Sequence, residues 1–384
     1  MPGILLILGT RPEVIKLAPL VLSARQHTWP HQLRVLATGQ HRELVHQALG
    51  IFGISADADL DLMTPGQTLP GFFTRALPAI DAMLGELQPD ALVFQGDTST
   101  VLAAALAGFY RRIPILAHVE AGLRSHNRMS PYPEEMNRTL AGRLATVHFA
   151  PTPSARQNLL AEGIDPQTIH VTGNTVIDAL FHTLADVRRQ PPPVPGLPPD
   201  VLAPHATNGH DAPPMMLVTA HRRENFGEGI GAICRAVLEL ARLHPALRVV
   251  YPVHPNPAVH GPAHQLLAGH PRIHLIAPVD YREFVHLMDR ATLILTDSGG
   301  VQEEAPSLGK PVLVMRDNTE RPEAVEAGTV LLVGAHTGRI VAEAHRLLSD
   351  ADARAAMARA INPYGDGHAA PRILEALHRL LPEG

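Results

Sequence analysis

The sequence predicts two doubly wound α/β domains that face a central cleft. Short apolar runs alternate with amphipathic segments along most of the chain, a pattern typical of a parallel sheet flanked by helices. One proline-rich stretch interrupts the alternation, which then restarts. The length of 384 residues also exceeds what a single hydrophobic core usually supports. Because ligands of such folds bind at the carboxyl ends of the strands, we expect the functional residues there.

The first half of the chain, residues 1–190, predicts one domain. Its strand candidates are the apolar runs at residues 4–8, 33–37, 91–94, 115–118 and 147–149. Amphipathic segments separate them, for example residues 41–52 and 157–161.

Residues 191–214 contain nine prolines in 24 positions, together with glycine, asparagine and aspartate. Such a composition cannot maintain a helix or a sheet, so it predicts a linker or loop. The second domain is expected over residues 215–370. Its strand candidates are residues 215–219, 247–252, 273–276, 293–296 and 312–315.

Composition excludes several classes of protein. The net charge of −5 gives no reason to expect nucleic acid or an anionic membrane as partner. A single cysteine, Cys234, excludes an intrachain disulfide and a cysteine-rich zinc site. No apolar run approaches the ~20 residues that span a bilayer, and residues 1–8 are too short for a signal peptide, so we expect a cytoplasmic protein. Neither G-x-G-x-x-G nor H-E-x-x-H occurs, so neither a nicotinamide cofactor nor a metal is indicated.

The most informative motif is DSGGVQEEAPSLGKPV at residues 297–312, between two strand candidates. Gly299 and Gly300 would let a phosphate approach the backbone, where a helix N-terminus offers free N–H groups. Glu303 or Glu304 would then accept hydrogen bonds from a ribose. These features together describe a nucleotide or nucleotide-sugar site. The alternative is an ordinary helix start that contains two flexible glycines, followed by two solvent-exposed glutamates.

Charged residues follow other predicted strands in the same way. Asp97, Glu120 and Glu134 each stand at the cleft end of an element, and three converging carboxylates would form an acid–base set. The alternative for each is a helix cap or a favourable interaction with a helix dipole. Arg11 and Lys16 follow the first strand and would face a phosphate, unless they are simply solvated.

His221, just after the first strand of the second half, would neutralise a leaving phosphate or transfer a proton. The chain has 23 histidines, however, and a lone histidine is more often a surface or capping residue.

Taken together, these motifs closely resemble the non-hydrolysing UDP-N-acetylglucosamine 2-epimerases. The resemblance rests on GTRPEVIK (9–16), QGDT (95–98), VEAGLR (119–124), PEE (133–135), AHRREN (220–225), TDSGGVQEEAPSLGKP (296–311) and RDNTERPEA (316–324). It implies a glycosyltransferase-B-like fold of two Rossmann-like domains, usually dimeric. It also implies interconversion of UDP-N-acetylglucosamine and UDP-N-acetylmannosamine without cofactor or metal. The last helix of the family crosses back to the first domain, and residues 371–384 would do so in this chain.

The resemblance also implies a role for each matching residue. Asp97, Glu120 and Glu134 would carry the proton chemistry, Glu304 would bind the ribose, and Phe284 would line the uracil pocket. The diphosphate and its surroundings would be held by Arg11, Lys16, His221, Ser298, Gly299, Gly300 and Arg321.

The chain departs from the family pattern at three positions. Val279 stands where a glutamine near the uracil is frequent. Gly66 and Glu43 stand where substrate-activated members have arginine and glutamine, so allosteric activation is not expected. Three other functions remain open: a hydrolysing 2-epimerase that releases N-acetylmannosamine, a glycosyltransferase of the same fold, and a non-catalytic nucleotide-sugar sensor.

Overall fold

Two parallel sheets organise the chain, one in each of two units. The computed structural model describes residues 3–27, 29–39, 42–64, 66–202 and 213–382. Unit 1 comprises Met1–Ala179 and Tyr364–Gly384, and unit 2 comprises Leu180–Pro363. The prediction of two Rossmann-like α/β domains is confirmed by this architecture.

Unit 1 contains a seven-stranded parallel sheet in the order β3-β2-β1-β4-β5-β6-β7. Its strands are β1 (Gly3–Leu8), β2 (Gln32–Ala37), β3 (Ala58–Asp59), β4 (Ala91–Gln95), β5 (Ile115–Val119), β6 (Val147–Ala150) and β7 (Ile169–Val171). All five residues of β4 and of β5 are buried, as expected for central strands covered by helices on both faces.

Within the described residues, seven α-helices alternate with these strands. They are α1 (Arg11–Gln26), α2 (Arg42–Ile51), α3 (Leu69–Leu87), α4 (Ser99–Tyr110), α5 (Glu134–Leu144), α6 (Pro153–Ala161) and α7 (Thr175–Arg189). The hydroxyl of Thr98 accepts from the backbone N–H of Val101 at 3.4 Å and caps α4. Thr152 caps α6 in the same way, accepting from Ala155 at 3.1 Å. This cap places the start of α6 before the expected segment 157–161. Of the expected segment 41–52, His41 lies outside the described residues.

Unit 2 contains a six-stranded parallel sheet in the order β10-β9-β8-β11-β12-β13. Its strands are β8 (Met215–Thr219), β9 (Arg248–Pro252), β10 (Ile273–Ile276), β11 (Leu293–Thr296), β12 (Val312–Val314) and β13 (Val330–Leu332). Its helices are α8 (Glu228–Leu243), α9 (Pro257–Leu267), α10 (Tyr281–Arg290), α11 (Gly299–Glu304), α12 (Pro322–Glu326), α13 (Thr337–Ser349) and α14 (Ala351–Ala358).

The partition between the units differs from the expected boundary at residue 190. It falls within α7, whose last turns belong to unit 2 and include Arg188, which binds Asp289 at 2.8 Å. The expected linker 191–214 is described only in part, because residues 203–212 lie outside the described residues. Its first part packs on unit 2 through the buried side chains of Val194 and Leu197.

The chain ends with α15 (Ala369–Leu380), which packs against α1 in unit 1. The carboxylate of Asp178 accepts from the backbone N–H groups of Ala369 and Ala370, at 3.2 and 2.8 Å, and so fixes the start of this helix. Among the described residues, no helix is long and apolar enough to cross a membrane.

Candidate functional site

The polar residues of unit 1 follow strands that are neighbours in the sheet. β1 lies beside β4, and β4 lies beside β5. The parallel arrangement brings the turns that follow these three strands to one edge. Lys16, Asp97 and Glu120 come from these turns or from the helix after them.

Glu120 has the most elaborate surroundings of the three predicted acids. Its side chain is 6% exposed and forms an ion pair with Lys16. The amide of Asn174 donates to the same carboxylate oxygen, Oε1, at 3.0 Å, and the amide of Gln95 donates to Oε2. Three donors from three separate segments of the chain therefore fix the position of this carboxylate.

The backbone of Glu120 has φ of 65°, in the left-handed region that non-glycine residues seldom adopt. Such a conformation costs on the order of 1–3 kcal/mol and persists only where the surrounding structure enforces it. Its position just beyond β5 and its side-chain bonds supply that enforcement. The strain is consistent with a functional requirement for the carboxylate at this point.

Asp97 occupies the turn after β4, where Gly96 has φ of 80°. The Arg138 guanidinium binds its carboxylate, and the Asn137 side chain donates to its backbone carbonyl at 2.9 Å. The carboxylate remains 28% exposed and so retains access to a substrate. An ideal Cβ on Gly96 would lie 3.7 Å from Oε2 of Glu120, so the Glu120 carboxylate lies beside the turn that carries Asp97.

The two adjacent glutamates at the start of α5 have different roles. Glu135 is buried and accepts from the backbone N–H groups of Ser125 and His126, at 3.0 Å each through Oε1, so it holds a loop. Glu134 is half-buried, and no hydrogen bond or ion pair of its side chain occurs within the described part of the chain. The structure therefore leaves Glu134, not Glu135, available for a substrate.

His118 on β5 is a buried residue that the sequence analysis did not single out. Its Nε2 lies 2.7 Å from the carbonyl oxygen of Gly96 and acts as the donor. Burial lowers the pKa of His118 to about 3, since removing the imidazolium from water outweighs the hydrogen bond to Gly96. The histidine is therefore neutral and supports the turn that carries Asp97.

In unit 2 the strand ends of β8 and β11 meet at Asp297, whose side chain is fully buried. It accepts from the backbone N–H of His221 at 2.9 Å, from that of Arg222 at 2.9 Å and from the Asn225 amide at 3.1 Å. Nδ1 of His221 lies 3.1 Å from its other oxygen. Burial alone would raise the pKa of Asp297, but these donors hold it below the usual value.

Asp297 thus orients His221, whose side chain is 40% exposed. The ring of His254, which follows β9, stacks on that of His221 with centroids 6.0 Å apart. The sequence analysis assigned no role to His254.

Arg321 is held against the glycine turn by two carboxylates. Its Nε donates to Glu303 at 2.7 Å and its Nη1 donates to Glu320 at 2.7 Å. A Cβ on Gly299 would approach Nη1 to 2.5 Å, so a larger residue there would displace this guanidinium. Burial would raise the pKa of Glu320, but Arg321 and Arg316 hold it at about 2.

The structure separates the acidic pair that the motif left ambiguous. Both glutamates close the six-residue helix α11, where Glu303 binds Arg321. The buried carboxylate of Glu304 accepts from the hydroxyl of Tyr281 at 2.6 Å. Tyr281 begins α10, and Phe284 lies one turn later on the same helix with partial exposure.

Comparison with known proteins gives one family. The sequence model of the UDP-N-acetylglucosamine 2-epimerases matches residues 24–378. The UDP-N-acetylglucosamine 2-epimerase of Yersinia pestis is 54% identical over 377 residues, covering 97% of this chain and 98% of the relative. That of Escherichia coli K12 is 51% identical over 374 residues, with coverage of 97% and 98%. The chain belongs to the UDP-N-acetylglucosamine 2-epimerase family.

Solved structures of the family agree with this result. The UDP-GlcNAc 2-epimerase of Neisseria meningitidis, solved with bound UDP-GlcNAc, has a TM-score of 0.88 and 44% identity. The match covers 98% of this chain and 100% of the Neisseria meningitidis chain. The UDP-bound MnaA structure from S. aureus has a TM-score of 0.87 and 39% identity, with coverage of 100% and 98%. The predicted family and the glycosyltransferase-B-like fold class are confirmed.

In this epimerase family member the predicted residues fall into two groups, one in each unit. In unit 1, Lys16 and Glu120 are in direct contact, and the turn that carries Asp97 lies beside Glu120. In unit 2, Arg321 contacts Gly299, and His221 contacts the aspartate that precedes Ser298. Gly300 lies beside Glu304, because a Cβ on it would be 3.7 Å from Oε2.

Arg11 is half-buried at the start of α1, and its guanidinium forms no ion pair within the described ranges. The same ranges contain no group of three or more histidine, cysteine or acidic residues arranged to bind a metal ion.

The sequence analysis missed several residues that hold the predicted acids in place, because these residues act through other side chains. Gln95 and Asn174 fix Glu120, and Arg138 fixes Asp97. Gln95 stands in the motif that contains Asp97, so its sequence position offered a signal. Asn174 and Arg138 are recognisable only from the three-dimensional contacts.

Proposed function

We propose that this protein interconverts UDP-N-acetylglucosamine and UDP-N-acetylmannosamine by epimerisation at C2. The observation that carries the proposal is the Glu120 carboxylate, which is buried against Lys16 beside the Asp97 turn. Membership of the 2-epimerase family and a relative solved with bound UDP-GlcNAc support the choice of substrate.

The chemistry requires elimination, because C2 of the sugar has no adjacent carbonyl that would acidify its proton. One carboxylate removes the C2 proton while the bond between C1 and the diphosphate oxygen breaks. The electron pair of the C–H bond forms the C1–C2 double bond of a glycal, and UDP leaves with the pair from the C1–O bond. Re-addition of UDP at C1, with protonation of C2 from the opposite face, gives the epimer. Asp97, Glu120 and Glu134 provide the acids for these steps.

Lys16 links the two halves of the elimination in this proposal. It pairs with Glu120 in the structure, and the family resemblance assigns it to the diphosphate. If Glu120 accepts a proton, its carboxylate loses its negative charge. The ammonium group of Lys16 can then interact more strongly with the negative charge that grows on the leaving diphosphate. A single lysine would thereby stabilise both the starting carboxylate and the departing group.

UDP binding is assigned to residues of unit 2. Arg321, Ser298 and the N–H groups of Gly299 and Gly300 would contact the diphosphate, with His221 beside them. A carboxylate oxygen accepts more than one hydrogen bond, so Glu304 can bind a ribose hydroxyl while Tyr281 keeps its own bond. Phe284 would contact the uracil.

A proton NMR time course in heavy water tests the reaction. The expected result is formation of UDP-N-acetylmannosamine with deuterium at C2, because a carboxylate exchanges its proton with solvent. Small amounts of UDP and the acetamido-glycal should accumulate as the intermediate escapes. Epimerised product that keeps its C2 proton would reject this acid–base route.

The same experiment separates the alternatives. Free N-acetylmannosamine would indicate a hydrolysing 2-epimerase. No reaction would favour a glycosyltransferase that lacks its acceptor, or a sensor. A homodimer in the cytoplasm stays a prediction, and light scattering on the purified protein would measure the oligomeric state.

A further inference from the structure

Glu13 is a buried acid to which the proposed chemistry gives no role. It lies in the first turn of α1, and its residue exposure is 1%. Burial raises the pKa of its carboxyl group, and four hydrogen bonds oppose that rise. A carboxylate so far from water is costly unless its hydrogen bonds are satisfied. The positions of its donors therefore indicate what it does.

The two carboxylate oxygens of Glu13 bind different parts of the unit. Oε2 accepts from the backbone N–H groups of Gly9 and Thr10, at 2.8 and 2.7 Å, and from the Thr10 hydroxyl at 2.9 Å. Oε1 accepts from the hydroxyl of Thr98 at 2.6 Å, across 85 residues of sequence. The side chain thus joins the turn after β1 to the turn after β4.

Capping of α1 explains the hydrogen bonds of only one of the two oxygens, Oε2. A glutamate at the third helical position bonds back to the N-cap residue, and the contacts of Oε2 with Thr10 fulfil that function. The bond from Thr98 to Oε1 contributes nothing to that cap. It does fix the residue that follows Asp97, one of the three predicted acids.

The Asp97 turn is held from its other sides by separate elements. His118 on β5 donates to the carbonyl of Gly96, and Asn137 on α5 donates to that of Asp97. Of the hydrogen bonds in the described residues, the one between Thr98 and Glu13 ties this turn to α1, which also carries Lys16. Losing it would leave the turn anchored to β5 and α5 but not to the helix of Lys16.

We propose that Glu13 is a positioning residue that acts through Thr98 to fix the Asp97 carboxylate relative to α1. This inference rests on the proposed epimerase function. Misplacement of a reacting group by a fraction of an ångström lowers the rate of the chemical step more than it changes substrate binding.

The test compares three threonine variants in steady-state assays of UDP-N-acetylglucosamine epimerisation. Thr98→Val removes the bridging hydroxyl and is expected to lower kcat about 10-fold with KM within about twofold of wild type. Thr98→Ser keeps the hydroxyl and is expected to restore kcat to within about twofold. Thr152→Val is the matched control, since it removes the cap of α6 in the same unit without touching the Asp97 turn.

The control separates positioning from stability. Thr98→Val and Thr152→Val are expected to lower Tm by similar amounts, because each removes one helix cap, whereas only Thr98→Val lowers kcat. Equal kcat values for these two variants, or a failure of Thr98→Ser to restore kcat, would overturn the inference. Glu13→Gln alone is a poor test, because it also disturbs the cap of α1.

Amide hydrogen exchange gives a second readout that does not depend on turnover. Residues 96–98 are expected to exchange faster in Thr98→Val than in Thr98→Ser, and unchanged exchange would overturn the inference. If wild type shows no epimerisation, the proposed function fails, and the exchange experiment still decides whether Glu13 and Thr98 fix the turn.

Discussion

Replacement of His118 by glutamine should reduce the amount by which the free energy of unfolding falls when the pH is lowered. His118 is 1% exposed and neutral, with a pKa lowered from 6.5 to about 3 because burial desolvates the imidazolium. Repulsion from His148, Arg124 and Arg138 contributes in the same direction. Glutamine keeps an N–H₂ group that can donate to the Gly96 carbonyl, and it does not titrate.

The sign and the size follow from proton linkage. Below pH 6.5 the unfolded chain binds a proton at His118 that the folded chain does not, so the free energy of unfolding falls as the pH falls. The loss continues toward pH 3, where the folded state also takes up the proton. Well below pH 6.5 each pH unit costs about 1.4 kcal/mol. Because the unfolded group is only half protonated at pH 6.5, lowering the pH from 6.5 to 4.5 removes about 2.3 kcal/mol.

Urea unfolding at pH 7.0, 6.0, 5.0 and 4.5 would measure the effect in wild type and in His118→Gln. The other histidines and carboxylates are present in both proteins, so the difference between the two curves isolates His118. We expect wild type to lose about 2–3 kcal/mol more than the variant over this range. His260→Gln, at an exposed position on α9, controls for the loss of any one histidine. Parallel curves for wild type and His118→Gln would show that the buried histidine is not neutral in the folded state.

Three further predictions concern the site, its regulation and the stability of the fold. Three amide replacements should each lower turnover by ~10²-fold or more: Asp97→Asn, Glu120→Gln and Glu134→Gln. Their affinity for UDP, measured by calorimetry, should stay near that of wild type. Normal turnover in all three variants would refute the assignment of these acids. Because Gly66 stands at the activator position, the rate should rise hyperbolically with UDP-N-acetylglucosamine; a sigmoidal curve would show that another contact maintains activation. Gly122→Ala should lower the free energy of unfolding by at least ~3 kcal/mol, since φ is 91° and the new Cβ would lie 2.2 Å from a carbonyl oxygen of α6. Gly163→Ala, with φ of 77° but nothing within 4 Å, should cost only ~1 kcal/mol in the same urea experiment.

The sequence by itself determined the class of fold and the places where function concentrates. Apolar runs such as residues 91–94 predict buried parallel strands, because both faces of such strands are covered and their side chains are uniformly apolar. Polar residues directly after those runs mark the carboxyl ends of the strands. The motifs containing Asp97, Glu120 and Gly299 were found in this way, since strand and turn are encoded by residues close in sequence.

Short strands escaped the same analysis. β3, β7 and β13 have two or three residues each, too few for an apolar period to be recognised. They are strands because a neighbouring strand provides their hydrogen bonds, which is a property of the sheet.

The contacts that fix the site were decided by the tertiary structure. β1 pairs with β4, and this order brings Glu13 within a hydrogen bond of Thr98 across 85 residues. The same kind of long-range contact joins Asn174 to Glu120 and distinguishes Glu303, which binds Arg321, from Glu304. Local sequence specifies backbone conformation and the face of an element, but strand order and side-chain partners depend on how distant segments pack. The sequence therefore predicted three acids, and only the folded chain showed what holds Asp97 and Glu120 in place.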